Sequence, residues 1–242
     1  MYFVNWQKDV TVEELQGRKV VIKRNKPTKI FHEYLLLATY TLVSILLGHP
    51  SSPPILGYKT VENEGQDMRN YLSKIGIRTP LLISLSDSLL IEEYIEHGDL
   101  YRAFSNRKKH DLFSLAFQAG TLTGKLHNAG YAFIDNKSQN YLVARDNSLL
   151  RIDLAFIQRK NSVFPQSMDI GSFLASIIDL DKSCYNAIEN GFFQGYSSET
   201  KHGFPYLSII LRNILAVGFA SNKTSMLENM FINSVKKCTL MD

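Results

Sequence analysis

Cysteine is scarce in this chain: Cys184 and Cys238 are the two thiols among 242 residues. So few, so placed, they supply neither a metal-ligand spacing nor a disulfide framework, and a reducing, cytoplasmic setting is the default expectation. An excess of charge of one sign is also missing. Lys and Arg outnumber Asp and Glu by 27 to 23, a formal net charge of +4. That balance accommodates an anionic ligand, but no Lys/Arg stripe interleaved with aromatics gives a strong nucleic-acid signal. Long apolar runs are absent too. The longest, residues 35–47, is interrupted by Thr39, Tyr40, Thr41 and Ser44 and falls short of the roughly twenty residues of a spanning helix. The opening Met1-Tyr2-Phe3-Val4-Asn5-Trp6 lacks a basic region followed by a long apolar run, so no signal peptide is expected. Finally, no glycine precedes Gly17. A glycine-rich loop that wraps phosphate in backbone amides therefore has no place at the start of the chain.

What is present reads as an ordinary globular protein, 45% hydrophobic and 21% charged, long enough for one large domain or two small lobes. Residues 10–15 and 19–24 alternate and carry Val and Ile around Gln16-Gly17, the pattern of a hairpin. An apolar helix over about residues 30–47 ends at Gly48, before the loop His49-Pro50-Ser51-Ser52-Pro53-Pro54. Residues 62–75 predict one helix, with Glu64, Met68, Tyr71, Leu72 and Ile75 on one face. Strands are expected at 81–84 and 89–95, and a long helix at 112–128. Two short strands follow at 141–143 and 149–153, and helices run from Asp169 to Lys237. The fold class is α+β in two lobes, joined near residues 94–98.

The chemistry concentrates in Asp135-Asn136-Lys137-Ser138-Gln139-Asn140, followed by Ile152-Asp153-Leu154-Ala155. Phosphoryl transfer from a Mg-bound nucleotide needs a base for the attacking hydroxyl, a cation for the moving phosphoryl group and two oxygen ligands for metal. Asp135, Lys137, Asn140 and Asp153 are that set. A lone aspartate in a turn commonly just satisfies nearby backbone amides; the joint spacing is what points to chemistry. Asp153 follows the apolar Leu149-Leu150-Arg151-Ile152, where a carboxylate is costly to bury unless metal, Arg151 or Lys160 compensates it.

At this point the chain resembles the protein kinase-like superfamily. Val20-Val21-Ile22-Lys23 resembles the V-A-I-K strand and Glu93-Tyr94-Ile95 the hinge. Asp135 to Asn140 is similar to the D-x-K-x-x-N catalytic loop, and Asp153-Leu154-Ala155 stands where D-F-G is expected. The likeness runs over about residues 20–196. The small size and missing A-P-E segment suit the reduced atypical members: the small kinase of the KEOPS tRNA-modification complex, the RIO kinases and the lipopolysaccharide Kdo/heptose kinases. The resemblance implies a small antiparallel-sheet N-lobe (1–96) and a mostly helical, reduced C-lobe (97–242), together one domain. It implies ATP and Mg2+ (or Mn2+), with Lys23 on the α/β phosphates and Glu64, or its rival Glu62, paired with Lys23. The Glu93 carbonyl and Ile95 amide would hold adenine, Asn140 and Asp153 the metal, and Asp169 would brace the catalytic loop.

Four features depart from the pattern. Phe133 replaces a histidine, Ala155 replaces the glycine after Asp153, and Glu92 falls beside the adenine position. Without a glycine loop, any phosphate cradle must come from Trp6-Gln7-Lys8-Asp9 or thereabouts. The helix at 30–47 reads as an insertion, extra core in preference to a docking site for a protein partner or a membrane surface. The leading expectation is an ATP-dependent kinase acting on protein serine or threonine, because Lys137 is often lacking in the sugar kinases. The alternatives are a Kdo/heptose sugar kinase, and a pseudokinase or nucleotide-sensing partner subunit.

Overall fold

The computed structural model describes residues 8–106, 109–200 and 205–232. Alternating β-branched residues build β1 (Lys8–Leu15) and β2 (Arg18–Asn25). Their turn is only Gln16 and Gly17, at φ 51° and 74°, the tight two-residue turn whose twist matches a hairpin. Next come α1 (Lys29–Leu46), α2 (Tyr58–Asn63) and α3 (Gln66–Lys74), then β3 (Leu82–Leu85) and β4 (Leu89–Glu93). The four strands form an antiparallel sheet in the order β1-β2-β4-β3. The chain then becomes mostly helical, with α4 (Leu100–Asn106), α5 (Lys109–Asn128), α6 (Val163–Ala175), α7 (Lys182–Glu199), α8 (Leu207–Phe219) and α9 (Lys223–Ile232). Four short strands lie between α5 and α6: β5 (Tyr131–Ala132) pairs with β8 (Gln158–Arg159), and β6 (Tyr141–Val143) with β7 (Leu149–Arg151). The protein is thus α+β, a small antiparallel sheet beside a larger helical part.

The main core lies among α4, α5, α6 and α7, with Phe173 of α6 stacked on Phe192 of α7 at 4.3 Å between ring centroids. Helices α5 and α7 approach until backbone meets backbone. A methyl group on Gly120 would collide with the Phe192 carbonyl, and one on Gly195 with the Phe117 carbonyl.

Two expectations change. The helix over 62–75 is broken at Gly65, whose backbone is extended (φ −76°, ψ 176°). Tertiary contact overrides the periodicity there: the Asn63 side chain donates to the carbonyls of Ala155 (2.9 Å) and Ile157 (2.7 Å). That anchor pulls the end of α2 onto the segment after Asp153 and leaves Glu64 buried at the junction. Second, α1, expected as extra core, is core on one side only, where it packs against helices. Tyr40, with Leu36, Val43 and Leu47 beside it, meets Phe164, Met168, Leu207 and Leu211. The outer side of α1 stays exposed, with Phe31 at 68% and Leu46 at 72%. Among the described residues, no helix is long and apolar enough to cross a membrane.

One helix start gives a local test. Asp181 caps α7, accepting from the amides of Ser183 and Cys184 at 3.0 Å each. Hydrogen bonds from Cys184 and Ser183 hold its carboxyl down at about 2. A depressed pKa contributes stability that is complete above the unfolded aspartate value and disappears as pH falls through the folded one. Asp181→Ala should therefore lower unfolding free energy by about 1 kcal/mol at pH 7. In urea titrations the gap should narrow steadily as pH falls toward about 2. Equal midpoints at pH 7 would refute the cap.

Candidate active site

The loop before β6 is held in an unusual shape. Ile134 sits at φ 67°, a region a β-branched residue enters at a cost of roughly 1–3 kcal/mol. The surroundings over-determine it. Asp169 of α6, fully buried, accepts from the amides of Phe133 and Ile134, both at 2.7 Å. The brace expected of Asp169 is therefore present. Its Oδ2 also lies 3.0 Å from His127 Nε2, while His127 Nδ1 lies 3.0 Å from the Tyr196 hydroxyl. Burial, and then the Asp169 charge, push the Tyr196 phenol well up. With a carboxylate at Nε2 and a hydroxyl at Nδ1, the ring suits the tautomer that carries its proton on Nε2, toward Asp169.

From beneath, Arg151 completes the support. Its guanidinium lies 4.2 Å from the Phe133 ring and donates to the Asp135 carbonyl (2.8 Å) and Asn136 Oδ1 (3.0 Å). Arg151 is thus engaged with the loop and does not compensate Asp153. The aromatic at position 133 supplies its face to that cation, a packing role a histidine would fill less well.

The result aims Asp135 beside Asn140. The Asn140 amide donates to the Asp135 carbonyl (2.8 Å), which leaves Oδ1 as an acceptor. Lys137 Nζ lies 2.8 Å and 3.0 Å from the two Asp135 carboxylate oxygens. Pairing of β6 with β7, extended by the Ile152 amide donating to the Asn140 carbonyl (3.0 Å), brings Asp153 to the same edge. Asp153 has φ 57°, a conformation aspartate tolerates better than most residues. Burial alone would raise its pKa. The charges of Lys8, Lys23 and Lys137 outweigh that and hold it well below the usual carboxylate range.

Opposite lies the underside of the sheet. Register sets Val10 against Lys23, Val12 against Val21, and Val21 against Glu92. Between the sheet and the Asp135 loop is a cavity of about 490 Å³. Lys8, Lys23 and Glu92 line it above, Asn140, Leu142, Ile152 and Asp153 below, and Glu93–Ile95 run along one end. A second cavity, about 700 Å³, shares Glu93, Tyr94 and Ile95 but is otherwise bordered by Arg18, Lys19, Arg78 and Arg145. Asn140 and Asp153 line the smaller cavity and not the larger, while Asp135 borders neither, so the smaller cavity is the chemically equipped one.

The ion pairs differ from the expected set. Lys23 reaches neither Glu64 nor Glu62. It pairs with Glu92 (2.5 Å), whose other oxygen takes Arg69 (2.5 Å). These two cations, against the opposing effect of burial, lower the Glu92 pKa, which explains how a carboxylate persists beside the cavity. Glu62 is exposed and pairs with Lys59 (3.0 Å). Glu64 belongs instead to Lys8, whose Nζ lies 3.0 Å from Glu64 and 2.9 Å from Asp153. Of the segment suspected of cradling phosphate, Trp6 and Gln7 lie outside the described residues. Lys8 begins β1, and Asp9 pairs with Lys26 (2.9 Å).

Arg69 and His127 went unrecognised in the sequence, while Lys8 was read only as one residue of a possible phosphate cradle and Arg151 only as a possible partner of Asp153. Lys8 had a readable signal, since period-two alternation puts it on the face of Val10 and Val12. Arg151, a cation in an apolar strand, was another. Arg69 and His127 carried none, because their partners are set by tertiary contact.

Asn140 and Asp153 offer one amide oxygen and one ionised carboxylate. Among the described residues, no group of three or more His, Cys, Asp or Glu side chains could hold a metal ion by itself. That sparse, all-oxygen donor set fits a Mg2+ ion completed by phosphate and water, not a metal caged by protein. Searches against protein-family models and against curated proteins found no match to the chain.

Proposed function

We propose that the chain is an ATP- and Mg2+-dependent phosphotransferase of the small atypical kinase type. In this reading the sheet and the helical part are the two lobes of a kinase-like domain. The observation that carries it is the meeting of Asp135, Asn140 and Asp153 on one edge, with a lysine from the sheet already bonded to Asp153.

Asp135 orients a substrate hydroxyl and accepts its proton as oxygen attacks the γ-phosphorus; the bond to the β-phosphate oxygen breaks and ADP leaves. Lys137, now paired with Asp135, turns to the transferring phosphoryl group as that proton arrives. Asn140 and Asp153 hold Mg2+, which supplies charge neutralisation across the phosphates when bound. The segment Glu93–Ile95 receives the base, with Val10, Val12 and Val21 over it and Leu142 and Ile152 beneath. The acceptor is a protein serine or threonine, on the strength of Lys137.

One observation favours a second reading. The Lys8 ammonium sits on Asp153, the carboxylate meant for metal, as it would in a nucleotide-sensing subunit that does not turn over. An assay with γ-labelled ATP against cell lysate separates them. Mg-dependent label in the protein fraction is the expected result. Label in a lipopolysaccharide or lipid fraction would favour a sugar acceptor. Binding of Mg-ATP without label in any fraction would favour the subunit, and no thermal shift with Mg-ATP would remove both.

A further inference from the structure

We propose that Lys8, on the first described strand, is the residue that takes the nucleotide phosphates, and that Lys23 is instead part of a buried triad closing the rear of the base site. The assignment rests on the nucleotide-binding reading above and departs from the lysine that the sequence resemblance selects.

Three observations support it. Lys8 Nζ bridges Glu64 and Asp153, at 3.0 Å and 2.9 Å. It therefore stands between the junction of α2 and α3 and the carboxylate that faces the phosphates. Lys23 is already committed, its ammonium held by a Glu92 carboxylate whose second oxygen is held by Arg69. Arg69 is fixed in turn by the carbonyls of Glu64 (3.2 Å) and Pro80 (2.8 Å). Drawing Lys23 toward a phosphate would strip a charge partner from a buried carboxylate, a costly exchange. Lys8 faces no such obstacle. When Asp153 turns to a cation, Lys8 keeps Glu64 and gains phosphate oxygen in place of Asp153.

Position agrees with chemistry. The turn between β1 and β2 lies toward the base end, where the Tyr94 amide donates to the Lys19 carbonyl (3.3 Å). Lys23 stands opposite Val10, and Lys8 opposite Asn25. Lys8 is therefore two strand residues, about 7 Å, farther from the base end than Lys23. The intervening turn is too tight to offer a cradle of amides, so a side-chain cation has to do that work.

The test compares two ligands that differ only in phosphates. Affinities of the full chain for adenosine and for ATP, with and without Mg2+, are measured by calorimetry for the intact protein, Lys8→Met, Lys8→Arg and Lys23→Met. Lys8→Met should lower the preference for ATP over adenosine by roughly 10- to 100-fold, the worth of a charge-assisted hydrogen bond. Lys8→Arg should restore part of it. Lys23→Met should weaken both ligands alike and lower the thermal midpoint, leaving the preference within about twofold. A preference lost in Lys23→Met and kept in Lys8→Met overturns the assignment while leaving the nucleotide reading intact. An intact protein that binds neither ligand overturns both.

Discussion

If the chain is the proposed phosphotransferase, Asp135→Asn and Asp153→Asn should both cut transfer of label from γ-labelled ATP, for different reasons and with different signatures. Asparagine at 135 keeps the backbone carbonyl that Asn140 and Arg151 bind, so the loop and the fold survive. What would be lost is the proposed acceptor of the hydroxyl proton, an effect on the order of 10²- to 10⁴-fold in turnover. Mg-ATP binding should be nearly unchanged. Asparagine at 153 replaces a carboxylate that neighbouring lysines keep ionised by a neutral amide oxygen, a much weaker ligand for the proposed Mg2+. Mg-dependent enhancement of nucleotide binding should vanish along with turnover. Calorimetry with and without Mg2+, beside a transfer assay, reads both. Turnover retained by the Asp135 variant would remove that residue as the base, and Mg-dependent binding retained by the Asp153 variant would remove the metal assignment.

Gly195→Ala should be the most damaging single methyl group in the helical part. The added carbon would collide with the Phe117 carbonyl and lie 2.7 Å from its carbon. Neither atom is the end of a flexible side chain, so α5 and α7 must separate and disturb the layer around Phe173 and Phe192. Overpacking of this kind costs about 1–3 kcal/mol and occasionally more, a large share of the roughly 5–15 kcal/mol that typically separates folded from unfolded. Gly218→Ala is the control. It lies in α8 with nothing within 4 Å of the added carbon and should be neutral or stabilising by up to about 1 kcal/mol. Urea midpoints for the two variants should move apart. A Gly195 variant as stable as the intact protein would show that the two helices are not in backbone contact.

Local order was legible from the chain; partnership was not. The hairpin, the long helix through Leu126 and the short strands around the Asp135 loop followed from periodicity and turn residues, because those signals act within a few residues. Asp169 was readable as a brace only through resemblance, and which amides it binds, those of Phe133 and Ile134, was not. The lysine–glutamate pairing went astray because it is a property of register. Lys23 meets Glu92 since β2 lies beside β4, with Val21 against Glu92, and nothing in residues 20–23 encodes that neighbour. The break at Gly65 escaped for a related reason. Five apolar or amphipathic positions at helical spacing outvoted one glycine, while the contact that imposes the break lies 92 residues away. On α1 the pattern lacked a polar face because part of its apolar surface is core and part is bare.

The two hydrogen bonds from Asn63 also govern how the cleft can breathe. They rivet the end of α2 to Ala155 and Ile157, so the acid at 64 and the acid at 153 belong to one stiff block. A swing of the short helices that withdraws Glu64 while Asp153 stays put would have to shear that rivet. Motion of the sheet against this block therefore turns on β1, whose Lys8 ammonium is bonded to both acids at once.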